Sequence, residues 1–160
     1  MTTNTITGFA LQSGESRSRD PLLLLGETIF VKLSGADTGD RYEIVEEATP
    51  PQGGPPLHLH KAQNEWLYVL EGRLLFEMDG RQVEGTAGTS VFVPRGVPHT
   101  FQNIGASPAR LLGVAEPAGL EAFFRDLAEM CKQGPPEMAK LGPLFEQHGQ
   151  ELLGPPLAAR

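Results

Sequence analysis

The chain has a single cysteine, Cys131, so no internal disulfide can form. That scarcity fits a reducing compartment, and the expected location is the cytoplasm. Long apolar runs are missing as well: the leucine block Leu22–Leu25 stops at Gly26, far short of a membrane span. Residues 1–19 are polar, with no basic start leading into an apolar stretch, so no secretory leader is expected. Basic charge is in deficit. Lys and Arg number 13 against 20 Asp and Glu, giving a net charge of −7 and a pI near 5.1. That balance argues against nucleic acid and membrane surfaces as partners. Histidine is scarce too, with only four in the chain, which makes their placement informative.

Glycine (19) and proline (14) are plentiful, a load suited to many short strands joined by tight turns. At 160 residues the expectation is one substantial core. Residues 1–20 read as an N-terminal arm with one short strand near Ile6–Leu11, residues 21–116 as an all-β barrel, and residues 117–160 as a helical appendage packed on it. Short apolar or alternating runs predict strands at Leu22–Leu25, Thr28–Leu33, Tyr42–Ala48, Leu57–His60 and Glu65–Leu70. Five more follow at Leu74–Met78, Arg81–Val83, Ser90–Val93, His99–Asn103 and Arg110–Val114. Asp79-Gly80 is a strong hairpin signal, because both residues tolerate positive φ, and Glu71-Gly72 marks a second tight turn.

Past Pro117 the period changes. Leu120, Phe123, Phe124, Leu127, Ala128 and Cys131 recur at intervals of three and four, the stripe of an amphipathic helix. Glu121 opens it and Lys132 closes it, in accord with the helix dipole. A second helix is predicted over Glu137–Gln147, broken near Gly142-Pro143 and stopped at Gly149, with an extended GPPL tail at 154–157. Cys131 falls on the buried stripe without a basic neighbour and reads as packing, not as a nucleophile.

The remaining feature is chemical. His58 and His60 stand two apart in a strand and so share one face, Glu65 follows shortly after, and His99 lies in a later strand. Three imidazoles and a carboxylate form a mixed nitrogen and oxygen set. It suits one divalent transition metal per chain, Fe, Mn, Co, Ni or Zn. His148, outside these motifs, reads as a surface residue near a helix end. Alternation directs Leu67 and Val69 inward with Glu65, and Phe101 and Asn103 inward with His99. Val91, Val93, Phe76 and Met78 are expected on the same inner face, giving an apolar cavity around the polar centre.

These residues resemble the two motifs of the cupin superfamily, a jelly-roll barrel (a double-stranded β-helix) that carries its metal inside. His58, His60, Glu65 and Gly72 fall in register with the first motif. Its leading glycine is displaced by one, because four residues separate Gly53 from His58 where the family has five. Gly88, Pro94, Gly96, His99 and Asn103 match the second motif throughout. No internal repeat of the barrel is visible. The helical tail resembles that of bacterial quercetinase-like cupins, metal-dependent dioxygenases that cleave flavonols.

That resemblance implies a dioxygenase acting on an aromatic enol with O2, with His58, His60, Glu65 and His99 as metal ligands. It also implies that Glu65 accepts the substrate's hydroxyl proton. Proton abstraction by Glu65 calls for a raised pKa, which an apolar cavity would supply by desolvation. Two other classes stand beside it. A metal-dependent lyase or isomerase of a small metabolite would favour a basic pocket, yet Arg73, Arg81 and Arg95 sit near turns without clustering. A non-catalytic binding cupin is the other. Sensor cupins usually carry a DNA-binding partner domain, and the acidic tail is too short for a helix-turn-helix unit. A homodimer is expected through the apolar outward side of the motif strands, Leu57, Leu59, Trp66, Tyr68 and Leu70.

Overall fold

The computed structural model describes residues 7–160. Period-two alternation builds two antiparallel sheets from eleven strands. These are β1 (Leu22–Leu24), β2 (Glu27–Leu33), β3 (Glu43–Thr49), β4 (Pro56–His60), β5 (Asn64–Glu71), β6 (Arg73–Met78), β7 (Arg81–Thr86), β8 (Ser90–Val93), β9 (His99–Asn103), β10 (Ala109–Glu116) and β11 (Gln150–Pro156). One sheet runs β1-β2-β3-β10-β5-β8 and the other β11-β4-β9-β6-β7. Three helices join them: α1 (Gly35–Thr38), α2 (Leu120–Cys131) and α3 (Met138–Gln147). The architecture is a jelly-roll barrel with a C-terminal helical part.

Turn chemistry holds the register. Asp79 and Gly80 both take positive φ, 49° and 74°, as a two-residue hairpin turn between β6 and β7 requires. Gly54 is under a stricter constraint, since a β-carbon there would sit 1.9 Å from the carbonyl oxygen of Phe101. The loop before β4 therefore presses onto β9, and Asn103 N–H donates to the Gly53 carbonyl at 2.9 Å. The displaced motif glycine is part of a glycine pair that makes this contact.

Two apolar clusters fill the interior. Leu67, Val69, Leu74, Phe76, Val91, Val93, Phe101, Ala109 and Leu111 pack the barrel itself. Leu120, Phe123, Phe124, Leu127, Leu141, Leu144 and Phe145 from the helices join Leu24, Ile29 and Val45 in the second. The α2 stripe is thus buried against the barrel, with Leu127 at 1% exposure. Glu43 fixes the entry of α2, its Oε1 accepting the Glu121 N–H at 2.9 Å where the helix dipole favours an anion.

Two expectations need correction, and two features were not foreseen. Ile6 lies outside the described residues, and residues 7–11 form no strand; the nearest pairing is an isolated bridge between Ser16 and Arg19. The second helix is not broken at Gly142-Pro143: α3 runs through Pro143. Proline removes one donor, but the carbonyl it would have served is that of exposed Ala139, which water can reach. The C-terminal tail is not merely extended. It forms β11, which pairs antiparallel with β4 and covers the edge that carries His58 and His60. Finally, α1 had no helical signal of its own; Asp37 accepts hydrogen bonds from the Ser34 N–H and hydroxyl and closes the turn.

Candidate metal centre

The two sheets deliver the predicted ligands to one point. His58 and His60 project from β4 to the same side, and His58 stands directly opposite His99 of β9 in the ladder. Glu65 comes from β5 in the other sheet. The ligating atoms of His58, His60 and His99 all lie within 4.8 Å of one another. Glu65 Oε2 is 3.0 Å from His99 Nε2 and 3.7 Å from His60 Nε2. All four residues are buried.

The surroundings prepare these groups as ligands. Nδ1 of His58 lies 2.8 Å from the Pro56 carbonyl, and Nδ1 of His99 lies 2.9 Å from the Val97 carbonyl. A carbonyl only accepts, so each Nδ1 carries the hydrogen; the His58 Nε2 lone pair is left for a metal, while the His99 Nε2 donates to the Glu65 carboxylate and would give up that proton to a metal. His60 has neither ring nitrogen partnered among the described residues, although both are buried. Such a group costs free energy unless something binds it. Burial, reinforced by the charges of His99 and His60, holds His58 well below the ordinary histidine range, so it is neutral at neutral pH. Burial also lowers His60, against the charge of Glu65. Burial is the largest single influence on His99 and would lower it, but the hydrogen bond and charge of Glu65, with the Val97 carbonyl, together outweigh burial and raise it. The residues fit a divalent transition metal held by three imidazoles and a carboxylate.

Glu65 does not behave as a desolvated base. Burial pushes it up, yet the His99 hydrogen bond and the neighbouring imidazoles outweigh burial and bring it to about 2. The expectation of a raised pKa at this residue is therefore wrong in the metal-free protein. Among the carboxyls that line the cavity, burial raises two that no motif marks. Glu27 is pushed up to about 7 despite a 3.3 Å hydrogen bond from the Thr49 hydroxyl. Glu47 is raised well above the usual range by burial and then by the charges of Glu27 and Glu65.

A cavity runs from the four ligands toward α2 and α3. Its apolar walls are Leu24, Leu25, Leu67, Phe101, Leu120 and Leu127, with Phe123, Phe124 and Phe145. Val69, Val91, Val93 and Phe76, expected here, instead fill the barrel. The helices had no place in the predicted lining, yet they supply much of it. No lysine or arginine lines the cavity among the described residues. Arg73, Arg81 and Arg95 are exposed, and Arg73 pairs with Glu84 at 2.8 Å. In its present form the cavity has room for only a few water molecules, so a larger ligand requires its walls to move apart.

Glu27, Glu47 and Gln150 are the polar lining residues missed from sequence. For the two glutamates a signal existed: Glu27 is in phase with buried Ile29 and Val31, and Glu47 with buried Val45 and Thr49. Gln150 had none, because its position depends on the pairing of β11. His148 caps α3 and contacts the Asp126 carboxylate at 2.8 Å, away from the metal ligands.

Residues 45–115 match the family model described as Cupin domain, and over that segment the chain is similar to cupins. It is similar to quercetin 2,3-dioxygenase of Bacillus subtilis, 32% identical over 94 residues that make up 59% of this chain and 27% of that protein's length. Among solved structures it resembles a predicted oxalate decarboxylase from Thermotoga maritima with a TM-score of 0.61, at 23% identity over 68% of this chain and 99% of that one. It also resembles the polyketide cyclase RemF from Streptomyces resistomycificus, with a TM-score of 0.57 and 28% identity over 69% of this chain and 80% of that one.

Proposed function

We propose that the protein is a metal-dependent dioxygenase that opens an aromatic enol of flavonol type. The observation that carries this reading is the cavity: phenylalanine and leucine walls lead directly to the three histidines and Glu65, with no cationic side chain along the way. An anionic substrate such as a sugar phosphate or a dicarboxylate would find no counter-charge there and would meet three glutamates. A flat, neutral aromatic suits the walls, since each buried ring contributes apolar area and edge-to-face contact. The likeness to the Bacillus quercetin 2,3-dioxygenase supports the same substrate class.

His58, His60, His99 and Glu65 would hold the metal, which when bound supplies Lewis acidity toward an enol oxygen and a redox-capable centre. The protein's own part is positioning. Phe123, Phe124 and Phe145 grip the ring system and exclude water. Glu65 Oε2 is engaged by His99, while Oε1 has no hydrogen-bond partner among the described residues and is the atom able to take up the enol proton. Its low pKa makes it a weak base, so it acts on an acidic enol and not on an ordinary alcohol.

A second reading draws on RemF: a cyclisation or isomerisation of a neutral aromatic in the same cavity, without O2. An oxygen electrode separates the two. Protein reconstituted with Fe, Mn, Co or Ni is expected to consume O2 with a flavonol. No consumption with any flavonol or catechol would remove the dioxygenase reading and leave the second.

A further inference from the structure

The cavity has a second polar region on the β2–β3 side. Thr28 faces Ala48 and Ile29 faces Glu47 across the β2–β3 ladder, so Glu27 and Glu47 are diagonal neighbours on the inward face. Glu65 lies in the row Glu43–Ala115–Glu65, two strands from β3 and four residues away from Glu47 along it. Gly113 lies beside Glu47: a β-carbon there would be 3.7 Å from its Oε1, in ordinary contact. Glu47 is 5% exposed and has no hydrogen-bond or ion-pair partner among the described residues, and Glu27 has only the Thr49 hydroxyl.

A separate observation comes from the other sheet. Gln150 on β11 is 1% exposed, lines the same cavity, and its Oε1 is buried without a partner among the described residues. Acceptors therefore outnumber donors. The lining contains no lysine, arginine, serine, threonine, tyrosine or tryptophan, so beyond the histidines the donors are the Gln150 amide and whichever of Glu27 and Glu47 keeps its proton. Buried acceptors without donors are costly, and a ligand carrying hydroxyl groups removes that cost.

We infer that Glu27 and Glu47 on one sheet, with Gln150 beside His60 on the other, accept hydrogen bonds from hydroxyl groups of the substrate. This selects a polyhydroxylated aromatic over a bare one and over an anion. The inference rests on the reading that the cavity takes a neutral aromatic. Burial raises both carboxyls, so one of them can keep its proton and leave the pair a single negative charge to share among the bound hydroxyls.

The test is calorimetric binding to the full chain without oxygen, using quercetin and 3-hydroxyflavone, which share the enol and differ in the outlying hydroxyls. Wild type is expected to bind quercetin at least about tenfold more tightly, the value of one or two net hydrogen bonds. Glu47→Leu should bring the two affinities within about twofold, and Glu47→Gln, which can still accept, should keep part of the preference. Removing a buried carboxyl leaves no unpaired charge behind, so both variants are expected to fold. An unchanged preference in Glu47→Leu, or a wild type that prefers 3-hydroxyflavone, overturns the subsite while the aromatic-substrate reading stands. Binding of neither compound by wild type overturns both.

Discussion

Gln150 faces His60 across the β11–β4 ladder, so the last strand of the chain lies against the strand that carries two of the candidate metal ligands. The C-terminal segment is therefore part of the site's construction as well as of its cover. α2 and α3 pass over the cavity and β11 closes its flank, which ties metal binding, substrate access and the stability of the tail to one another.

The first prediction concerns the metal. Replacing His60 and His99 by Ala removes two of four candidate ligands, and elemental analysis of untagged protein should show stoichiometric metal in wild type and none in the double variant. Full occupancy in that variant would falsify the site assignment.

Glu27 makes stability fall as pH rises. Its carboxyl is at about 7 in the folded protein against an ordinary value of 4.5, so the folded state keeps a proton that the unfolded chain has released. The stabilisation is complete below pH 4.5 and is lost as pH rises through about 7, by roughly 3 kcal/mol in all. Glu47 acts in the same direction. The lowered His58 and His60 act in the opposite direction, so the variant carries the check: in metal-free protein Glu27→Gln should raise the melting temperature at pH 8 relative to that at pH 5, compared with wild type. An unchanged difference in that variant would exclude Glu27 as a cause.

Gly54→Ala should be costly although the residue is not itself a candidate ligand. Its new methyl group would sit 1.9 Å from the Phe101 carbonyl oxygen, a backbone atom that cannot turn aside. Separation of the loop from β9 is expected to cost about 1–3 kcal/mol or more. Denaturant titration reads this directly, and a loss below half a kcal/mol would show that the loop yields freely.

Deleting residues 117–160 should leave the barrel unstable or insoluble. Leu120, Phe123, Leu127, Leu141 and Phe145 are all buried, and each is worth about 1.5–3 kcal/mol when removed from water. The same deletion strips β11 from β4. A truncated form with an unchanged melting temperature would show the tail to be dispensable.

We also propose a homodimer through the outer side of the six-stranded sheet. Trp66 faces Phe92 across the β5–β8 ladder, Phe92 is 58% exposed, and Trp66 stacks on Tyr68 at 5.4 Å between ring centres. Leu57 and Leu59 lie on the other sheet and are half-buried already, so they add less to such an interface than strand alternation alone suggests. Light scattering at micromolar concentration should give twice the chain mass; a mass of 17.3 kDa would refute the dimer.

The sequence by itself determined the strands of the barrel, the inward phase of Glu65 and His99, and the amphipathic stripe of α2. Each of these is encoded locally, by period-two or period-3.6 burial and by turn residues such as Asp79-Gly80. The candidate metal ligands were legible for the same reason, since His58 and His60 are two apart on one strand. Only the tertiary structure decided the rest. It placed Phe123, Phe124 and Phe145 over the cavity and left Val69, Val91 and Phe76 to fill the barrel, a choice made by how far the helices reach and not by any pattern within a strand. It paired β11 with β4, which brought Gln150 to His60 from the far end of the chain. It also set the charges: Glu65 is held low and Glu27 and Glu47 are raised because the first has imidazoles around it and the others have only burial and one another. A carboxyl's pKa depends on which groups the fold places beside it, and alternation along a strand carries no information about that neighbourhood.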